Sequence, residues 1–164
     1  MDTEIRKIES TEWKLWKEFR LAALQESPLS FGNSYEIEKD FTETQWRQGL
    51  EKSEMLGVFS GETLIGCAGL AGYDFAQMQH KKRLFGVYVV PAHRGTGMAD
   101  RLLKALIEHV GKNTLQITLG VKSINERAIG FYKKHGFEVY GVEPRACKIG
   151  DAFYDDTLMV KFLG

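Results

Sequence analysis

The chain of 164 residues carries 22 Lys and Arg against 22 Asp and Glu, with 43% apolar and 27% charged residues. That length can bury a core without staples, and the balanced charge gives no gross attraction to nucleic acid or to an anionic membrane surface. Cys67 and Cys147 lie in no Cys-x-x-Cys pair or Cys/His cluster, so neither a metal site nor a disulfide framework is expected.

No apolar run approaches the ~20 residues of a membrane helix, and the charged start MDTEIRKIES is not expected to be a signal peptide. The expectation is a cytoplasmic single domain over residues 1–164. Ile5 and Ile8 among charges suggest a short opening strand. From Thr11 to Gln25 the pattern turns helical, with Leu15, Trp16, Phe19, Ala22 and Ala23 on one face and Lys14, Lys17, Glu18 and Arg20 facing away. Ser27-Pro28 ends it, because a residue before proline resists the helical conformation. The turn-rich stretch SPLSFGNSYEIEKD carries Phe31 and Tyr35. It reads either as a surface connection with two aromatics tucked down, which its composition favours, or as a loop walling a substrate pocket.

Thr42 with Gln45 in capping-box register, and Phe41 with Trp46 in staple spacing, predict a second helix that fades near Ser53. Met55–Phe59 and Thr63–Leu70 read as strands around a Ser60-Gly61 turn. The small residues Gly66, Cys67, Ala68 and Gly69 would let a helix or a ligand approach the second strand, and the helix is the preferred reading. Tyr73–Lys82 reads as a loop or strand extension. Leu84–Val90 is apolar on both faces, as a central strand is, and Gly86 inside it marks a bulge or a close backbone contact.

Pro91 stops this strand, and Arg94-Gly95-Thr96-Gly97 leads at once into the helical stripe of Met98, Ala99, Leu102, Leu103, Leu106, Ile107 and Val110, closed by Gly111. A strand that turns through glycines into a helix start is a physical anion site: bare backbone N–H groups converge, and the helix end adds about half a positive charge. Leu115–Val121 alternates as another strand, so the unit is a right-handed crossover between parallel strands. A helix follows from Asn125 to His135, capped by Ser123 or Asn125 and stopped at Gly136, with Phe137 folding back on Phe131 or Tyr132. Phe137–Val142 and Phe153–Phe162 would close the sheet as an antiparallel pair around Gly150-Asp151.

A nucleotide P-loop needs Lys-Ser or Lys-Thr after its last glycine, and Gly97 is followed by Met98-Ala99. A dinucleotide fingerprint needs a third small residue where Asp100 stands, and it belongs after a first strand. The pattern [QR]-x-x-G-x-[GA] is met by Arg94-Gly95-Thr96-Gly97-Met98-Ala99. Roughly 30 residues on, Asn125-Glu126-Arg127-Ala128-Ile129-Gly130-Phe131-Tyr132-Lys133-Lys134-His135-Gly136-Phe137 matches N-x-x-A-x-x-[FL]-Y-x-x-x-G-F. With both motifs and the element order, the whole chain resembles the GCN5-related N-acetyltransferases (GNAT).

The resemblance implies an α/β (α+β) fold: a mixed, mainly antiparallel sheet of roughly six to seven strands flanked by helices, the acyl-CoA N-acyltransferase fold. It implies acetyl-CoA as acyl donor, held in a wedge between two central parallel strands. Backbone N–H groups of Arg94, Gly95, Thr96, Gly97, Met98 and Ala99 would hold the pyrophosphate. Main-chain groups along Val87, Tyr88 and Val89 would pair with the pantetheine arm, and the bulge would aim an N–H at the thioester oxygen. Asn125 would face the pantetheine, and Tyr132, near the sulfur, would be the general acid. The implied reaction is direct attack of a primary amine on the thioester.

Glu36, Glu38, Asp40, His80, Asp155 and Asp156 are the candidates for removing the amine's proton, and a solvated surface charge is the plainer reading of each. Lys133 or Lys134 could meet the CoA 3′-phosphate. The implied partner is a small-molecule amine or a peptide or protein amine, with a second copy of the chain as a further candidate and no nucleic acid, membrane or metal. Use of another acyl-CoA, or a non-catalytic acetyl-CoA sensor, are the alternatives. Tyr132 beside an intact glycine loop favours catalysis, since a sensor has no need of an acid.

Overall fold

Hydrophobic periodicity decides where this chain changes from strand to helix. The computed structural model describes residues 2–164. Seven strands follow the order β1-β2-β3-β4-β5-β7-β6. They are β1 (Thr3–Lys7), β2 (Ser53–Ser60), β3 (Thr63–Ala71), β4 (Lys81–Val89), β5 (Gln116–Lys122), β6 (Glu138–Ile149) and β7 (Ala152–Phe162). The helices are α1 (Trp13–Glu26), α2 (Tyr35–Glu38), α3 (Glu43–Lys52), α4 (Met98–His109) and α5 (Glu126–Lys134). The sheet is mixed, as expected. β4 and β5 run parallel, paired through Lys81–Arg83 and Gln116–Thr118, while β1–β2, β2–β3, β5–β7 and β6–β7 are antiparallel. The chain divides into two compact units, one ending at Ala71 and resuming over Leu84–Gly111, the other comprising Gly72–Arg83 and Lys112–Gly164. β4 thus contributes to both.

In the first unit a core of Ile8, Trp16, Leu24, Phe31, Trp46, Leu50, Met55 and Phe59 forms beneath β1–β4. α3 begins as its residues predict. Thr42 Oγ1 accepts the Gln45 amide at 3.2 Å, the Gln45 side chain accepts the Thr42 amide at 2.8 Å, and the Phe41 and Trp46 rings meet at 5.4 Å. α1 buries most of its expected face, with Trp16 and Ala23 in the core and Leu15 and Phe19 packed against it, but the stripe differs at three positions. Ala22 is exposed, Leu24 is buried, and Arg20 turns inward to an ion pair with Glu38. The reason is local: Arg20 continues the Trp16–Ala23 stripe at helical spacing, and Glu38 meets its charge there. The stretch expected to be plain loop contains α2, because the Ser34 hydroxyl accepts the Ile37 amide at 3.3 Å and starts a turn.

The small residues of β3 serve neighbouring strands as well as a packed helix. A Cβ on Gly69 would sit 2.6 Å from Met55 Cε and 2.9 Å from the Phe85 ring, and one on Gly66 would sit 3.3 Å from the Tyr88 carbonyl oxygen. α4 lies against β3 and buries Met98, Leu102, Leu103 and Leu106.

In the second unit α5 is capped by Asn125, whose Oδ1 accepts the Ala128 amide at 3.1 Å. Ser123, the other capping candidate, shares a hydrogen bond with Thr157 instead. Gly136 takes the left-handed conformation, φ 89°, and Phe137 folds back on Tyr132 with rings 5.8 Å apart. β6 runs on to Ile149, past its expected end at Val142. Its register shifts between Glu143 and Cys147 around Pro144, which has no N–H to donate, and Arg145 adopts φ 51° with its amide given to Asp155 Oδ1 at 2.8 Å.

Candidate active site

The glycine loop presents open backbone at the start of a helix. Past β4, Pro91–His93 make one tight turn closed by the Arg94 amide donating to the Pro91 carbonyl at 3.2 Å. Gly95 (φ 76°) and Gly97 (φ 80°) then take left-handed conformations that side chains rarely adopt. A Cβ at either would meet no protein atom within 4 Å, so the approach to the backbone is open. Thr96 ties its hydroxyl to the His93 carbonyl at 2.7 Å. The first bond of α4 runs from the Arg101 amide to the Gly97 carbonyl at 3.1 Å, and no side chain caps the helix. Its first-turn amides therefore point outward with the helix dipole behind them. Arg94, expected to lend its amide to the cradle, gives that amide to the Pro91 carbonyl.

The Arg94 side chain works as a latch. Its Nε donates to the Val89 carbonyl at 2.9 Å, and Nη2 and Nη1 donate to Glu26 at 2.9 and 3.3 Å. Glu26, the last residue of α1, also accepts the Tyr88 hydroxyl at 2.7 Å and the Ser27 hydroxyl. The Arg94, Ser27 and Tyr88 hydrogen bonds hold the Glu26 carboxyl down at about 2. Burial, then the neighbouring Glu26, raises the Tyr88 phenol to about 12. The Tyr88 side chain, 7% exposed, packs among Phe19, Phe31 and the Arg94 guanidinium. Glu26 drew no attention in the sequence, where it reads as a polar end to a helix.

Gly86 lies inside the unbroken β4 at φ 64°, a left-handed conformation that favours glycine at the place where a bulge or a close backbone contact was expected. The buried Cys67 thiol, pushed up to about 12 by burial, donates to the Gly86 carbonyl at 3.1 Å and so holds one side of this residue. On the other, Arg20 Nη1 lies 3.6 Å from where a Gly86 Cβ would stand. Arg20 gives Nε and Nη2 to the two Glu38 oxygens, both at 2.9 Å, and lies over the Phe31 ring at 4.7 Å.

In the second unit Tyr132 stacks edge-on against Phe131 at 5.3 Å and Phe137 at 5.8 Å. Burial raises its phenol to about 12, so it keeps its proton throughout the neutral range. Several candidate bases are already engaged: Glu36 with Lys39, Glu38 with Arg20, and Asp155 with the Arg145 amide. His80 is exposed, and its carbonyl accepts the Leu115 amide at 2.6 Å. Asp156 lies where a Gly120 Cβ would come within 3.2 Å of its Oδ2.

The model of the acetyltransferase (GNAT) family matches residues 12–137. The chain belongs to this family. An uncharacterized N-acetyltransferase of Mycobacterium tuberculosis is 36% identical over 101 residues, 61% of either chain. The matches to the first curated relatives span only 24% to 61% of those proteins. The GNAT acetyltransferase from Streptococcus pneumoniae superposes with a TM-score of 0.87 at 21% identity, over 99% of this chain and 100% of that one. A putative acetyltransferase from Salmonella typhimurium, solved with acetyl-CoA, gives 0.84 at 20% identity, covering 100% and 95%. These likenesses establish the GNAT fold.

Proposed function

We propose that this GNAT chain is an N-acetyltransferase that moves the acetyl group of acetyl-CoA to a primary amine. The observation that carries the reading is the loop in which Gly95 and Gly97, both at positive φ, open the backbone at the start of α4. The family model crosses both compact units, which supports a single catalytic domain over residues 1–164. The two free cysteines suit a reducing, cytoplasmic setting.

Amides of Gly95, Thr96, Gly97, Met98 and Ala99 would receive the pyrophosphate, and Arg94 would keep the loop in shape through Glu26 and Val89. Main-chain groups of Val87, Tyr88 and Val89 would run beside the pantetheine arm, where the Val89 carbonyl also accepts from Arg94 Nε. Acetyl-CoA supplies an activated thioester carbonyl. The Val87 N–H, turned by the positive φ of Gly86, would meet the charge that develops on that oxygen, a contribution of roughly 3 kcal/mol. Tyr132 would donate a hydrogen bond and proton to the leaving sulfur, and Asn125 would combine capping of α5 with a ligand contact.

The test is release of free CoA thiol from acetyl-CoA over a panel of primary amines. Turnover on at least one amine is the expected result. Tight acetyl-CoA binding with no turnover on any amine would replace the enzyme reading with a sensor.

A further inference from the structure

Arg20 is a charge brought into the first unit's core. Its side chain is 12% exposed and that of its partner Glu38 only 6%. Pulling two charges out of water is costly, and a buried pair often adds nothing to stability over apolar residues of the same volume. The pairing leaves part of the guanidinium unspent. Glu38 takes one hydrogen from Nε and one from Nη2, whereas a guanidinium has five to give. Among the described residues Nη1 donates to no protein acceptor, and it is not among the fully buried polar atoms left without a partner. Phe31 beneath the guanidinium and Glu38 beside it fix the direction of those donors. They lie beside Gly86, and Phe85, Gly86 and Val87 are all half-buried rather than sealed.

We propose that Arg20 is the acceptor-recognition residue of this site: its Nη1 donors bind an oxygen of the carboxylate or carbonyl group attached to the α-carbon that carries the acceptor amine. The acceptor class is then the α-aminoacyl group, found in free amino acids and at peptide N-termini. This rests on the acetyl-transfer reading, which places the thioester at Gly86–Val87. An amine poised for attack stands about 3–3.5 Å from the carbonyl carbon. An α-carboxylate or α-carbonyl oxygen lies three bonds from that nitrogen, which would bring it toward a donor beside Gly86. Because Glu38 has already matched the Arg20 charge, the remaining demand is for hydrogen-bond acceptors in a fixed place, which both a carboxylate and a peptide carbonyl meet. A lysine side chain or a simple alkylamine has no such oxygen near its nitrogen. Glu38 is the positioning residue that aims Arg20.

The experiment compares matched amines on the whole protein: an α-amino acid, its α-amide, and the amine left when the carboxyl is removed. The first two arms separate free amino acids from peptide N-termini. Removing the carbonyl should lower kcat/KM roughly ten- to hundredfold. The double variant Arg20→Gln/Glu38→Gln, which strands no charge, should abolish that preference by raising the KM of the α-aminoacyl substrate while leaving the KM for acetyl-CoA unchanged. Arg20→Lys provides a second variant that keeps a cation against Glu38, and it should lose part of the preference. Calorimetric binding of the preferred acceptor in the presence of CoA should weaken in parallel. Equal kcat/KM across the matched set, or an undiminished preference in a folded variant, would overturn the inference while leaving acetyl transfer standing. No thiol release on any amine would overturn acetyl transfer and this inference with it.

Discussion

Tyr132 and Glu26 show how one side chain's surroundings set its chemistry. Burial lifts the Tyr132 phenol to about 12, so it stays protonated at every pH where such an enzyme works. It should act as a constant donor to the leaving sulfur and impose no alkaline fall on the pH profile below about pH 11. Tyr132→Phe is expected to lower kcat by a factor on the order of a hundred or more and to leave acetyl-CoA affinity within about twofold. Single-turnover kinetics and equilibrium titration check the two halves separately. An unchanged kcat would pass the role to water. Glu26 is shifted the other way, to about 2 from the ordinary 4.5, chiefly by Arg94. A carboxyl depressed on folding contributes stability that is complete above its unfolded value and is lost as pH falls through the folded one. The native protein should therefore lose this contribution between about pH 4.5 and 2, and Glu26→Gln should flatten that part of the stability curve. With the Glu26 side chain 37% exposed the effect is partly screened, so added salt should shrink it. Urea midpoints measured from pH 6 to 2 test both statements.

At the scale of elements, the glycine loop depends on backbone shape. Gly97 caps α4 at φ 80°, and a β-branched residue is an outlier there whatever space surrounds it. Gly97→Val should force the loop out of its turn and reduce acetyl-CoA affinity by at least about tenfold, since a left-handed residue costs on the order of 1–2 kcal/mol before the cradle is counted. Calorimetry gives the answer, and unchanged affinity would sink the proposed pyrophosphate site. α3 was readable for an equally local reason: Thr42, Gln45, Phe41 and Trp46 act within one turn of each other. The inward place of Arg20 on α1 was not. Periodicity put Arg20 outside with the other charges, but its place on the Trp16–Ala23 stripe was a signal that could have been weighted against its charge. The partner that admits it lies 18 residues away on α2.

Across the whole molecule, the Arg20–Glu38 pair ties α1 to the segment leading into α3. Removing one partner of a buried pair strands the other's charge, which costs about 3–5 kcal/mol, whereas removing both does not. Arg20→Gln should therefore destabilise the protein more than Arg20→Gln/Glu38→Gln does, and urea unfolding of the two variants decides it. Reverse ranking would mean that Glu38 finds another partner or water.

The sequence by itself determined the family, the parallel pairing of β4 with β5, the special backbone at Gly86 and the open glycine turn into α4. Each of these rests on residues close together in the chain, where glycine conformations, caps and periodicity act. Only the tertiary structure decided that Arg94 is a latch on Glu26 and Val89, that Tyr88 is buried among aromatics, and that the Arg20 guanidinium comes to lie beside Gly86. Those roles come from charges brought together across 18 to 68 residues of chain. A charged residue has the same solvated appearance in sequence whether its partner meets it or not, so its environment, and with it its chemistry, exists only once the chain has folded.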